Sequence, residues 1–157
     1  MHLLKVKDGA YQFHLHERDR VALLAMLRRY PVIPAPYHRV ARQPEAAPSP
    51  DAQRLLEESV AERKREHKRY FESLLTTHLR HSERPPGYRL SLDRGQIEAL
   101  LQVLNDVRVG SWLKLGAPDP DEGREVVLSK RNAFYAVALT ESERFEWALL
   151  KAVHGGE

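Results

Sequence analysis

One phrase of this chain leaves its fold little freedom. Residues 88 to 116, YRLSLDRGQIEALLQVLNDVRVGSWLKLG, run a strand pattern, a helix start and a glycine stop together without interruption. Tyr88 to Leu92 alternates as a half-buried strand does. Asp93 and Gln96 stand three residues apart, the spacing at which each side chain satisfies the other's backbone N–H at a helix N-terminus. Ile97, Leu100, Leu101, Leu104, Ser111, Trp112 and Leu115 then recur at helical spacing. Gly116 suits the left-handed position after a helix, and Pro118 forbids continuation. A strand feeding straight into an amphipathic helix points to a mixed domain built around that helix.

The N-terminus supplies more sheet. Asp8-Gly9 is the signature of a type I′ hairpin turn, because both central residues need positive φ. Folding there pairs Lys7 with Ala10, Val6 with Tyr11, Lys5 with Gln12 and Leu4 with Phe13. One face then collects Leu4, Val6, Tyr11, Phe13 and Leu15, and the other Lys5, Lys7, Gln12, His14 and His16. Glu17 to Tyr30 reads as a helix that Pro31 ends. Residues 31 to 50 hold six of the ten prolines and read as a surface connection, with Val32, Ile33 and Tyr37 as its apolar anchors. Ser49-Pro50-Asp51 is an N-cap, a first-turn proline and a first-turn acid, opening a long charged helix from Asp51 to about His81. After an acidic loop, a helix is expected from Ser129. The spacing of Thr140 and Glu143 predicts a separate final helix over 140–153. The expectation is one α+β domain over 1–157, mainly α: five helices around a small antiparallel hairpin or three-stranded sheet of 3–7, 10–16 and 88–92.

Composition narrows the function classes. At 157 residues, with 42% hydrophobic and 30% charged side chains, the chain matches one globular domain. It has no cysteine, which excludes disulfides, thiolate metal sites and cysteine nucleophiles. No apolar run approaches bilayer length, and lysines interrupt the N-terminus too early for a signal-peptide core. A cytoplasmic protein of bacterial type, without a membrane partner, is expected. Phosphate loops, nucleophile elbows and dinucleotide-binding glycine patterns are absent from the sequence.

The histidines are the natural metal candidates. His14 and His16 share a strand face, but Lys5 and Lys7 fall on that face too, and the register above sends His2 to the opposite one. His67, His78 and His81 lie along the long helix with no acid at comparable spacing. No metal ligand set, cofactor site or catalytic residue is expected. Arg63, Lys64, Arg65, Lys68 and Arg69 form a basic run, yet residues 54–72 hold six basic and five acidic side chains, a net of +1. A solvated, salt-bridged face is expected, with nucleic-acid contact as the alternative. Arg63 and His67 both fall on the stripe that Leu56, Val60, Tyr70 and Leu74 define.

Asn105, Asp106 and Arg108 interrupt the central helix. Periodicity puts only Arg108 on the buried stripe, where it must meet a carboxylate or emerge at a groove, and Asn105 is placed to hydrogen-bond it. A structural polar network is expected, with partner contact as the alternative.

Leu104-Asn105-Asp106-Val107-Arg108 followed by Leu115-Gly116 resembles the LNDxR…LG signature of a bacterial domain-of-unknown-function family. That family is common in actinobacteria, and some members act as oxidative-stress transcription regulators. The motif match covers residues 88 to 116, and the remainder agrees in the order of elements. Redox sensing in the regulator members uses a cysteine pair, which this chain lacks. The resemblance implies a mainly helical, non-catalytic protein acting through protein contacts. The expected function is therefore a non-enzymatic regulatory or interaction protein, with a homodimer through helix 51–81 as one partner mode. The alternatives are a nucleic-acid-binding regulator using that helix, and a small hydrolase.

Overall fold

A computed structural model describes residues 1–33 and 49–155. Most of the expected surface connection, Tyr37 included, lies outside the described residues. The elements are β1 (His2–Lys7), β2 (Ala10–Leu15), α1 (Glu17–Arg29), α2 (Pro50–Thr77), β3 (Arg80–Glu83), β4 (Pro86–Leu92), α3 (Arg94–Lys114) and α4 (Ala133–His154). The described residues thus form an α+β fold of four α-helices and one antiparallel sheet of order β1-β2-β4-β3.

The count differs from five helices and three strands for two local reasons. Thr140 sits inside α4, its hydroxyl turned back toward the Ala136 carbonyl. A Ser/Thr-x-x-Glu pattern caps a helix only where the preceding backbone is extended, and here the preceding turn is already helical. The long helix stops at Thr77, four residues short of His81, and Arg80–Glu83 then pairs with Pro86–Leu92. That strand is entirely polar, so no alternation announces it.

Other local rules hold. Asp8 and Gly9 both have positive φ, at 51° and 75°. Asp93 and Gln96 exchange backbone-to-side-chain hydrogen bonds of 2.8 Å at the start of α3. Ser49 Oγ accepts from the Ala52 N–H before Pro50. Gly116 follows α3 with φ 87°.

The register of β1 departs from the simple hairpin. Leu3 pairs with Phe13 and Lys5 with Gln12, which leaves Leu4 as an extra residue. Because side chains alternate, one inserted residue exchanges the faces of everything beyond it. Leu3 now shares the face of Phe13, Leu4 is 41% exposed, and His2 joins the face of His14.

The core lies between the sheet and the helices. Phe13, Leu15, Leu90 and Leu92 from the sheet meet Leu23 and Leu27 of α1, Phe71 and Leu75 of α2, Ile97 and Leu104 of α3, and Phe145 and Leu149 of α4. Helices α1 and α2 bind one another reciprocally. Lys68 Nζ of α2 donates to the Arg28 and Tyr30 carbonyls, at 3.1 Å each, where α1 ends. Arg20 Nε of α1 donates to the Leu75 carbonyl near the end of α2, at 3.0 Å. Each helix therefore supplies a cation to the partial negative charge at the other's C-terminus.

Candidate functional site

The three polar residues of α3 divide by depth. Asp106 is the buried one, its side chain 5% exposed, whereas Arg108 is 41% exposed. This reverses the expectation from periodicity. Helix α3 is covered on more than one side, so its buried arc is wide and takes in Val103, Asp106 and Gly110 as well as Leu104 and Ser111. Asp106 Oδ1 accepts from the backbone N–H of Val32 at 2.6 Å and of Ile33 at 3.3 Å. Its Oδ2 takes Lys64 Nζ of α2 at 2.7 Å. One carboxylate thus ties the chain after α1, helix α2 and helix α3 together.

Gly110 stands one turn beyond Asp106. A Cβ there would lie 2.6 Å from Val32 Cγ1 and 2.9 Å from its backbone carbon. The bare glycine lets the Val32 segment approach closely enough for Asp106 to reach its N–H groups.

Arg108 turns toward α4 instead, its Nε 2.9 Å from Glu146 Oε2, and Arg108 Nη2 donates to Asn105 Oδ1 at 3.0 Å. Burial raises the Glu146 carboxyl above the usual range even with Arg108 beside it. Asn105 itself is exposed.

The basic run of α2 does not form one surface. The buried face is Phe71 and Leu75, with Val60, Lys64, His67 and Lys68 half-buried along it, whereas Tyr70 and Arg63 are exposed. The inward cations are therefore Lys64 and Lys68, displaced one position from the stripe that Arg63 and Tyr70 were expected to share. Lys64 is held by Asp106 and Lys68 by the α1 carbonyls. Arg65 and Arg69 both bind Glu62 on the outside. Of the five, Arg63 alone makes no hydrogen bond or ion pair among the described residues, and it borders a cavity of about 170 Å³ between α2 and α3. His67, Asn105 and Asp106 also line that cavity. Burial, and then Arg63, lower the His67 pKa. Two of its lining residues, Lys64 and Asp106, are ion-paired with each other.

Comparison with protein-family models, curated proteins and solved structures finds no match in any of the three.

Two features escaped sequence reasoning. The first is an apolar pair on the outer face of α4, where Trp147 and Leu150 are 68% and 41% exposed. Trp147 and Leu150 border an open groove with Thr140, Glu143, Arg144 and Glu146. Its sequence signal was the crowding of apolar residues in α4, more than one buried stripe requires.

The second is a histidine cluster. With Leu4 bulged, the His2 and His14 rings lie 5.1 Å apart and those of His14 and His16 4.7 Å apart. Beside them, Asp19 is 2% exposed. It accepts from the Met1 ammonium at 2.7 Å, the His16 N–H at 3.0 Å and Arg144 of α4 at 2.7 Å. Burial alone would raise this carboxyl, but those three donors outweigh it and hold the pKa at about 2. No pattern in the sequence announces a bulge at Leu4.

Proposed function

We propose that this protein is a non-enzymatic interaction module whose docking surface is the outer face of α4. The observation that carries the reading is Trp147, a large aromatic left 68% exposed beside Leu150 in a groove. Exposed aromatics gathered in a groove are the residues that dominate binding energy at protein interfaces. The resemblance of the Leu104–Gly116 phrase to a family with regulator members supports the same class.

The chemistry of the rim favours one kind of partner. Arg144 is engaged by Asp19 and Glu141, and Arg108 by Glu146. Glu143, one turn from Trp147, makes no ion pair among the described residues. An amphipathic helix of a partner protein, carrying a basic residue beside its apolar anchors, complements this groove.

Selection of a displayed random-peptide library on the immobilised protein tests the proposal. Enriched peptides should show apolar residues at helical spacing next to Lys or Arg. They should lose binding to the Trp147→Ala protein and weaken on Glu143→Lys. Peptides that bind Trp147→Ala undiminished, or a library that yields no enrichment, would overturn it.

A further inference from the structure

We infer that His2, His14 and His16 form a three-imidazole binding site for a borderline divalent metal ion of the zinc type. The argument begins with His14, the only one of the three that is fully buried. Its Nε2 lies 3.2 Å from the Pro86 carbonyl, which can only accept, so Nε2 carries the proton. Nδ1 is then left with an unshared lone pair, and it is buried with no hydrogen-bond partner among the described residues. A buried acceptor without a donor is costly and needs a reason. A metal ion supplies one, and a backbone carbonyl on the far nitrogen is the usual device that orients a ligating imidazole.

Gly87, with φ 142°, lies across the β2–β4 ladder, and a Cβ there would collide with the Leu15 carbonyl oxygen and sit 2.8 Å from His14 Nε2. The glycine admits the close backbone approach and the imidazole together. The other two histidines come from different elements: His2 opens β1 and His16 is the N-cap of α1. One ligand nitrogen from each of the three lies within 4.8 Å of the others. Tetrahedral zinc with bonds of ~2.0–2.1 Å draws such nitrogens closer still. His2 and His16 are exposed, so a change of rotamer closes that gap while His14 stays fixed.

The electrostatics are mixed. Lys5, Lys7 and Arg89 share this face of the sheet, and Arg89 pairs with His14 directly. They lower affinity without entering the cluster, and solvent screens them. The buried Asp19 carboxylate on the His16 side is itself held by the Met1 ammonium and Arg144, so it offsets these cations only in part. An all-imidazole set disfavours magnesium and calcium, which need oxygen donors, and suits zinc, cobalt, nickel or copper. Three protein ligands leave a fourth position for water or another ligand.

The experiment is a Zn²⁺ titration of the full chain, carrying no polyhistidine tag, against a chromophoric chelator at about pH 7.5, above the imidazole range. One equivalent should bind, and Co²⁺ should give the intense visible bands of a tetrahedral site. His2→Gln and His16→Gln should each weaken Zn²⁺ roughly tenfold or more, while His78→Gln and His81→Gln leave it unchanged. These two ligands are exposed, so the test does not depend on whether His14→Gln folds. Nitrogen NMR of the imidazoles should show His14 losing its free Nδ1 lone pair and keeping Nε2–H. Absence of saturable Zn²⁺ binding in the micromolar range, or binding that survives the His2→Gln/His16→Gln double change, would overturn the proposal. So would metal bound through His14 Nε2.

Discussion

The polar residues of α3 and the histidines of the N-terminal hairpin make opposite uses of burial. Asp106 is buried with every oxygen engaged: two backbone N–H groups on one, Lys64 on the other. His14 is buried more deeply still, and its Nδ1 has no hydrogen-bond partner among the described residues. A buried polar group whose capacity is filled from within fixes the packing of the elements around it. One whose capacity is left open is waiting for something from outside. On that criterion Asp106 is a structural lock, and the open nitrogen of His14 is what the inferred metal site rests on.

The comparison breaks most readily at Asp106. Replacement by Ala removes the buried carboxylate on which Lys64, 14% exposed, and the Val32 and Ile33 N–H groups converge. A loss of about 3–5 kcal/mol is expected, read as a lowered midpoint in urea denaturation. A loss under about 1 kcal/mol would mean that Asp106 is no lock.

The next effect belongs to Asp19, the polar lock of the hairpin region. Its folded pKa of about 2 lies below the unfolded carboxylate value. Its stabilisation is therefore present above pH ~4 and is lost as pH falls from there through about 2. Asp19→Asn should cost on the order of 2 kcal/mol at neutral pH and nothing at the acid end. Paired acid titrations of stability check this: the two curves should converge on acidification, and parallel curves would contradict it.

Gly110→Ala should cost about 1 kcal/mol net. Steric intrusion on Val32 is worth about 1–3 kcal/mol, and the gain in helix propensity of about 1 kcal/mol offsets part of it. The midpoint of thermal unfolding should drop by a few degrees, whereas a rise would show that the Val32 backbone yields freely. Arg108→Ala is the mildest change. Arg108 is 41% exposed, so no more than about 0.5–1 kcal/mol is expected, with the Glu146 carboxyl shifting further upward in an NMR titration.

The sequence was most legible where one residue type satisfies one backbone rule. The Asp8-Gly9 turn, the Asp93/Gln96 cap, the Ser49-Pro50 start and the Gly116 stop are such cases, and all four appear in the fold. Tertiary context defeated the rest. Thr140 and Glu143 carry a capping pattern inside a continuous helix, and β3 is a polar strand held by its neighbour. Asp106 looked solvent-facing because the stripe was drawn for a helix buried on one side. The histidine cluster was hidden by a single bulged leucine, which moved His2 to the face of His14 and removed one of the two arguments against a metal site; Lys5 and Lys7 still share that face.

The measurement that tests the contrast most directly is thermal unfolding with and without Zn²⁺ of three proteins: the parent chain, Asp106→Asn, and His2→Gln/His16→Gln. The account predicts that Asp106→Asn lowers the metal-free midpoint yet keeps the upward shift that Zn²⁺ produces. The histidine double change should leave the metal-free midpoint nearly unaltered and abolish the shift, since a ligand stabilises only the state that binds it. A Zn²⁺ shift that survives in the histidine variant, or disappears with Asp106→Asn, would contradict it.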